Sequence, residues 1–481
     1  MEIARRIAKN TAYNTSALMV SSILGLLISI LLARILKPEY FGIYSLALVI
    51  ANISIAFATL GIRSALVRYI AYFDGKGNIK SIRWIFRYLL KFEFVLAFTI
   101  SFILIISSVK LSEFFGSKKL IIPFAISGFI VLIAPFSNFL DSFFRGLQRF
   151  EYTFFKQVIY EISRLILVIY FALMFFATGA LIGTVLSYFI VLVYLMLVLL
   201  LKYREYIFGE YEKSKAKIKS YVGFMTVARV SGIIYAYIDC VMIGYLLGAT
   251  DVGYYRAAYT IVFAIIDFIS SISGVLLPVF SQLSIRDINR SLEVLNRYVA
   301  IVTFPLAVIL AWFSKNIILT IYGSQYLPAV NAMVILSFAL IPGAFNYLIS
   351  VINAKERADI TASIVFTSMI LNVILNYFLI LHMNIAGAAL ATLISRIFVI
   401  LFVIIVLYKI FGILPKIKVC LKPIISTLII LILMLILPEP KGLIVGFIEI
   451  LMLLSVYFSS LFIIKGLNKD DIIYLIKVIR G

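Results

Sequence analysis

Gly179-Ala180-Leu181-Ile182-Gly183-Thr184-Val185-Leu186-Ser187 returns 208 residues later as Gly387-Ala388-Ala389-Leu390-Ala391-Thr392-Leu393-Ile394-Ser395. Two further matches keep the order and nearly the same offset. Gly42-Ile43-Tyr44-Ser45-Leu46-Ala47 reads against Gly253-Tyr254-Tyr255-Arg256-Ala257-Ala258, 211 residues on, and Ile133-Ala134-Pro135 against Leu340-Ile341-Pro342, 207 on. One such match between apolar segments means little. Three in order mark an internal repeat of roughly 210 residues.

The copies are built from apolar runs. Of 481 residues, 64% are hydrophobic and 14% charged, against about 45–50% and about 25% in a soluble domain. Fourteen runs lie between residues 12 and 464, each near the length of about 20 residues that crosses a bilayer. The first run, 12–36, is too long for a signal-peptide core and reads as a retained span. Fourteen spans leave no room for a sizeable soluble domain. The net charge of +21 would suit nucleic acid in a soluble chain. Here 40 of the 43 basic residues sort by side, about four on the N-terminal side of the membrane for each one opposite, and the other three lie within spans. That bias predicts both termini cytoplasmic and accounts for the charge without nucleic acid. Two distant cysteines, Cys240 and Cys420, give no disulfide framework, and one histidine, His382, in an outside turn, gives no histidine metal site.

Six spans separate equivalent positions, so the copies enter the membrane with the same polarity and imply a pseudo-two-fold axis along its normal. The predicted fold is an all-α integral membrane protein of about 14 transmembrane helices. An N-terminal lobe (1–201, spans 1–6) and a C-terminal lobe (222–410, spans 7–12) flank a cytoplasmic linker (202–221). Two extra spans and a cytoplasmic tail (411–481) follow. Glycines four apart, such as Gly179 and Gly183, permit close helix packing.

Leu32-Ala33-Arg34-Ile35-Leu36-Lys37-Pro38-Glu39-Tyr40-Phe41-Gly42-Ile43-Tyr44 resembles the opening signature of Wzx-type polysaccharide and O-antigen flippases. So do Asp239-Cys240-Val241-Met242-Ile243-Gly244-Tyr245-Leu246-Leu247-Gly248 and Val252-Gly253-Tyr254-Tyr255-Arg256-Ala257-Ala258. These belong to the multidrug/oligosaccharidyl-lipid/polysaccharide exporter superfamily, with the lipid II flippases. The resemblance covers roughly residues 1–410. It implies two six-helix lobes around a central cavity, and movement of polyprenyl-diphosphate-linked sugar from the inner to the outer leaflet of the cell membrane by alternating access. It also implies membrane lipids and other glycan-assembly membrane proteins as partners.

Charged residues inside a span are costly and often functional. Asp239 lies about 12 Å from the outer end of span 7. Asn372 and Asn376, four apart on one face, lie about 15 and 9 Å deep in span 11, and Thr392 about 12 Å deep in span 12. A carboxylate, two amides and a hydroxyl at one depth offer hard oxygens suited to a cation such as Na⁺. Lipid II flippases carry a cation site of similar make-up on the corresponding helices. Asp239, Asn372 and Thr392 fit that pattern, whereas Asn376 stands where a second carboxylate is expected. A proton site at Asp239 and a purely structural cluster are the competing readings. Pairing of Asp239 with Arg229, ten residues away, is discouraged by about 15 Å of helix. A diphosphate substrate needs cations, and arginine grips phosphate with a planar fork. The candidates are Arg229, Arg396, Arg34, Arg63 and Arg68. Arg63 and Arg68 also serve as positive-inside anchors, and Asp267 is a potential partner for Arg396. Glu161 and Arg164 read as a structural pair, and Tyr235 and Tyr237 as packing rather than sugar-stacking residues. Glu449 has no assigned role.

The rival of the same architecture is a multidrug/cation antiporter, which would favour an acidic cavity. The rival of another class is a membrane glycan polymerase or glycosyltransferase. The chain offers neither a long outside loop nor an Asp-x-Asp motif for one, so it reads as no enzyme. No GxxxxGK[ST] loop supplies ATP coupling. No cofactor is expected beyond Na⁺ or H⁺ as coupling ion.

Overall fold

A computed structural model describes residues 2–213, 218–270, 272–438 and 442–467. Part of the expected linker (214–217) and the expected cytoplasmic tail (468–481) lie outside the described residues. In hydrocarbon the backbone must satisfy its own hydrogen bonds, and the described chain does so with helices. These are α1 (Glu2–Thr59), α2 (Ile62–Asp74), α3 (Ile79–Phe114), α4 (Ile121–Gly146), α5 (Phe150–Lys202), α6 (Ile218–Leu246), α7 (Ala249–Ser270) and α8 (Ile272–Gln282). They continue with α9 (Ile285–Trp312), α10 (Ser314–Ile321), α11 (Val330–Ala344), α12 (Tyr347–Ala354), α13 (Ala358–Phe411), α14 (Leu421–Ile436) and α15 (Leu443–Ile463). Among the described residues, 11 helical segments are long and apolar enough to cross a membrane. Three of them, of 51, 53 and 54 residues in α1, α5 and α13, are more than twice a crossing length and break in the middle. Counted as two passes each, they give the fourteen runs of the sequence.

The breaks repeat with the sequence. Positive φ is uncommon away from glycine, yet it recurs here in matched pairs. Lys37 (φ 58°) pairs with Gly248 (φ 110°), 211 residues on, and Gly116 (φ 65°) with Gly323 (φ 94°), 207 on. Gln148 (φ 58°) pairs with Glu356 (φ 59°), 208 on. Phe176 (φ 50°, ψ −134°) pairs with Asn384 (φ 52°, ψ −137°), again 208 on. These are the offsets of the quoted motifs, so the internal repeat is a repeat of backbone conformation. At two equivalent reversals a glycine takes the main chain of the preceding helix. A Cβ on Gly179 would lie 1.9 Å from the Phe171 carbonyl oxygen, and one on Gly387 would lie 2.0 Å from that of Leu379. The reversal at Asn384 leaves His382 inside α13, its Nδ1 2.7 Å from the Phe378 carbonyl.

The described chain forms two compact units, a different partition from the two sequence copies. The first comprises Met1–Ala264 with Val365–Ala388. Its core gathers Phe86, Phe139, Phe143 and Phe144, with Phe86 edge-on to Phe139 and Phe143 at 5.4 and 5.2 Å. Within this unit Gly42 and Gly253, equivalent residues of the repeat, meet main chain to main chain. A Cβ on Gly42 would lie 1.7 Å from the Ala249 carbonyl oxygen, and one on Gly253 2.1 Å from that of Pro38. Pro38 and Ala249 are themselves 211 apart, so the contact is reciprocal, as at a two-fold axis. The start of the linker is tied to α3. Arg83 Nη1 donates to the Glu210 carbonyl at 2.9 Å and Arg87 Nη2 to that of Ile207 at 2.7 Å. The Lys80 ammonium, 2.8 Å from the Glu210 carboxylate, holds that carboxyl below its ordinary range.

The second unit comprises Ile265–Ile364 with Ala389–Gly481. One core joins Phe280, Leu292, Tyr347, Val351, Val403 and Leu407. Another docks the extra helices α14 and α15 on α9 through Ile301, Ile430, Met434, Leu453 and Tyr457, whose hydroxyl donates to the Ile301 carbonyl at 2.9 Å.

Gly42→Val and Gly253→Val are each expected to lower the thermal unfolding midpoint of the solubilised protein. Overpacking costs about 1–3 kcal/mol, and a main-chain carbonyl cannot rotate aside as a side chain does. Gly25→Ala, whose added Cβ meets nothing within 4 Å, is the control. Equal melting of all three variants would contradict the close contact.

Candidate functional site: two buried polar clusters

The first cluster centres on Asp239 of α6, 4% exposed. Its two oxygens face different neighbours. Tyr255, on α7, donates its hydroxyl to Oδ2 at 2.7 Å, and Asn376, on the first half of α13, donates Nδ2 to Oδ1 at 2.6 Å. Asn372 lies one turn before Asn376 on the same face. The Asn376 amide nitrogen also donates to Asn372 Oδ1 at 3.1 Å and to the Asn372 carbonyl at 3.0 Å. The Asn376 Oδ1 is buried and accepts no hydrogen bond. One amide NH₂ therefore stands between oxygens of Asp239 and Asn372, beside an unused oxygen of its own. The cluster thus contains one carboxylate and two neutral oxygen donors. Among the described residues no group of three or more His, Cys, Asp or Glu is placed to hold a metal ion.

The structure brings together Asp239, Asn372 and Asn376 in the first unit. Thr392, buried at 6% exposure, belongs to the second unit. Arg34 and Arg68 are exposed, and Arg63, Arg229 and Arg396 are half-buried. Arg396 lies in electrostatic reach of Asp267, both in the second unit. Glu449 accepts from the Trp312 indole at 3.1 Å.

The second cluster, in the first unit, was only partly read from the sequence. Glu161 and Arg164 do pair, Arg164 Nη1 to Glu161 Oε2 at 3.1 Å. Ser21 Oγ and Gln157 Nε2 each donate to Glu161 Oε1 at 3.0 Å. The pair lines a polar cavity of about 320 Å³ together with Tyr44, Asn138, Lys156, Thr184 and Tyr188. Lys156 is 9% exposed, its ammonium 3.4 Å from Asn138 Oδ1. The sequence counts it as a positive-inside anchor. The usable signal was its company: Gln157, Glu161 and Arg164 follow at helical spacing within one apolar run. Tyr255 and Arg256 belong to the second-copy motif, which by itself assigns them no role. The Arg256 guanidinium sits 5.0 Å from the Tyr259 ring centre, in electrostatic reach of Cys240, Asp239's neighbour in sequence.

The clusters correspond through the repeat. Tyr44 and Tyr255 are equivalent at offset 211, and Thr184 and Thr392, like Arg164 and Asn372, at 208. Tyr44 meets Thr184 at 3.5 Å, while Tyr255 meets Asp239.

Residues 7–284 match the family model described as polysaccharide biosynthesis protein. An uncharacterised membrane protein of Methanocaldococcus jannaschii is 24% identical over 420 residues, 82% of each chain. The "probable low-salt glycan biosynthesis flippase Agl15" of Haloferax volcanii is 26% identical over 188 residues, 38% of this chain and 40% of that one. Among solved structures, the lipid II flippase MurJ in an inward closed conformation aligns with a TM-score of 0.74 at 18% identity, over 92% of this chain and 96% of that one. An inward-facing multidrug resistance transporter of the MATE family aligns at 0.62 and 16% identity, over 84% and 95%. The fold is therefore the one these transporters share.

Arg164→Leu takes the paired guanidinium from the buried Glu161 and leaves it the Ser21 and Gln157 donors; breaking a buried pair costs up to about 3–5 kcal/mol, whereas replacing both partners is near neutral. In thermal melts Arg164→Leu is expected to fall well below the native chain, and Glu161→Leu/Arg164→Leu to recover most of the loss. A double variant that melts no higher than the single one would mean that the pair does not govern stability here.

Proposed function

The chain belongs to the polysaccharide biosynthesis protein family, and from that premise we propose that it flips a polyprenyl-diphosphate-linked saccharide from the inner to the outer leaflet of the cell membrane by alternating access. It is a multi-pass membrane transporter and not an enzyme. The observation that carries the finer reading is the buried Asp239 carboxylate, held by Tyr255 and Asn376 deep in an apolar helix. A charge kept at such depth is costly and needs a use.

Asn376 suggests how the site takes a cation. Half a turn of its amide exchanges NH₂ for Oδ1, and oxygens of Asp239, Asn372 and Asn376 then converge where the NH₂ now bridges them. Na⁺ suits that set of hard oxygens. A proton on Asp239 is the other coupling ion consistent with the same carboxylate. Either ion drives transport only by binding one conformational state more tightly than the other. The substrate's diphosphate is assigned to arginines, with Arg229 and Arg396, both half-buried, ahead of Arg63, Arg34 and Arg68. Basic residues near the cavity favour an anionic substrate over a cationic drug. Other glycan-assembly proteins are the natural partners on either side of the step.

The test is translocation of a lipid-linked oligosaccharide in proteoliposomes under a Na⁺ gradient, a proton gradient and none. Native protein is expected to flip faster under one gradient, and Asp239→Ala to lose at least about tenfold of that gradient-dependent rate, roughly 1.4 kcal/mol. An Asp239→Ala variant with unchanged rate and ion dependence removes the coupling role. Folded native protein that flips none of several lipid-linked sugars, but exchanges cationic drugs for ions, would turn the reading to the antiporter.

A further inference from the structure

Glu93 stands in the middle of α3, 14 residues from its start and 21 from its end, about 21 and 32 Å along the axis. Its side chain has no exposed surface, and neither carboxyl oxygen has a hydrogen-bond partner. No other buried carboxyl among the described residues has both oxygens in that condition. Other buried acids of the first unit are paired: Asp141 with Arg145 at 3.0 Å, and Glu161 with Arg164 at 3.1 Å.

The charged and titratable groups around Glu93 come from several elements. Arg63 of α2 is in electrostatic reach of it, half-buried, with its own Nε unbonded and no ion pair formed between them. Arg63 also feels Asp141 and Arg145 of α4 and Tyr188 of α5. Lys156 of α5 turns to Asn138 instead. α1 contributes no charge between Lys9 and Arg34 or between Glu39 and Thr59. On α3 itself Arg87 is engaged by the Ile207 carbonyl, and Lys91 is exposed. Lys118 and Lys119 follow the end of α3, and Arg204 and Glu205 lie by Arg83, ten residues before Glu93.

An ionised carboxylate without a donor in such surroundings is prohibitively costly, and a buried acid in that position takes a proton instead. We propose that Glu93 is a proton-binding site within the first unit, and that Arg63 sets its occupancy. With Arg63 held off, as in this structure, the carboxyl is neutral. When the Arg63 guanidinium closes on it, the O–H bond breaks, the proton leaves to water, and the carboxylate pairs with the arginine. Retreat of Arg63 reverses the step. Arg63 is well placed to move, because α2 begins two residues after Leu60, which sits at positive φ (41°) where α1 ends. The site is separate from Asp239 and stands whether or not the transported molecule is a saccharide lipid.

Two measurements on the full chain in nanodiscs test it. Dicyclohexylcarbodiimide adds to protonated carboxyls in apolar settings and leaves a stable N-acylurea that peptide mass spectrometry reads. Native Glu93 is expected to label at about pH 5.5 and at least about tenfold less at about pH 9, and Arg63→Met to keep the label across that range. Labelling that runs alike in native and Arg63→Met, or that is missing from Glu93 at every pH, overturns the proposal. The second measurement needs no reagent access. A native state that holds a proton its unfolded form has lost is destabilised as pH rises. Native protein is therefore expected to lose melting temperature relative to Glu93→Gln from about pH 5 upward, until Glu93 ionises. Parallel melting curves for native and Glu93→Gln would show that Glu93 holds no such proton.

Discussion

A peptide N–H or carbonyl in hydrocarbon must find its partner inside the chain. That requirement governs how this protein turns. A chain of fourteen apolar runs needs many reversals, and every residue spent outside a helix exposes backbone groups. The economical solution is to reverse within one or two residues and resume the helix at once. Such a reversal needs a backbone conformation that side chains resist, which is why Lys37, Phe176 and Asn384 sit at positive φ inside what is otherwise continuous helix. The close approach at Gly179 and Gly387 follows from the same geometry, because a helix that doubles straight back lies against the one it left.

The number of passes and the repeat were legible in the sequence because both depend on pattern. Apolar length marks a span, and motifs at offsets of 207 to 211 mark equivalent turns. The polar clusters were legible only where a polar residue interrupts an apolar run. Asp239, Asn372 and Asn376 do so, and they meet although 137 residues separate Asp239 from Asn376. Lys156 and Glu93 escaped notice for one reason. Each lies within reach of other charges in sequence, Lys156 near Arg149 and Glu93 near Arg87 and Lys91, and resembles an ordinary span-end anchor. Each residue along a helix turns a side chain by about 100°, so two residues carry it to nearly the opposite face: Lys91 is exposed while Glu93 is fully buried. Composition carries no record of that rotation. The role of Tyr255 was hidden differently: the phenol belongs to a visible motif, but its partner lies on another helix.

The two polar clusters share positions in the repeat and differ in how they treat a buried acid. In the first copy Glu161 is neutralised by Arg164 on its own helix, one turn away. In the second, the position equivalent to Arg164 is Asn372, and Asp239 receives a phenol and an amide from two other helices. An internal guanidinium is permanent at any pH the cell meets. Tyr255 and Asn376 bring neutral donors to Asp239 instead. A duplicated scaffold can in this way answer a buried acid with a guanidinium in one copy and with a phenol and an amide in the other, with no change in its backbone.

The meeting of Gly42 with Gly253 carries a consequence for how such a protein changes over generations. At most packed positions a larger residue on one helix is accommodated when its neighbour becomes smaller. Here both neighbours are already glycine, and the atoms in the way are main-chain carbonyls of Ala249 and Pro38 that no codon can shrink. Elsewhere equivalent positions of the two copies carry different residues, as Arg164 and Asn372 do. At this point neither has anywhere to retreat, so the copies remain bound to a shared past long after their surroundings have drifted apart.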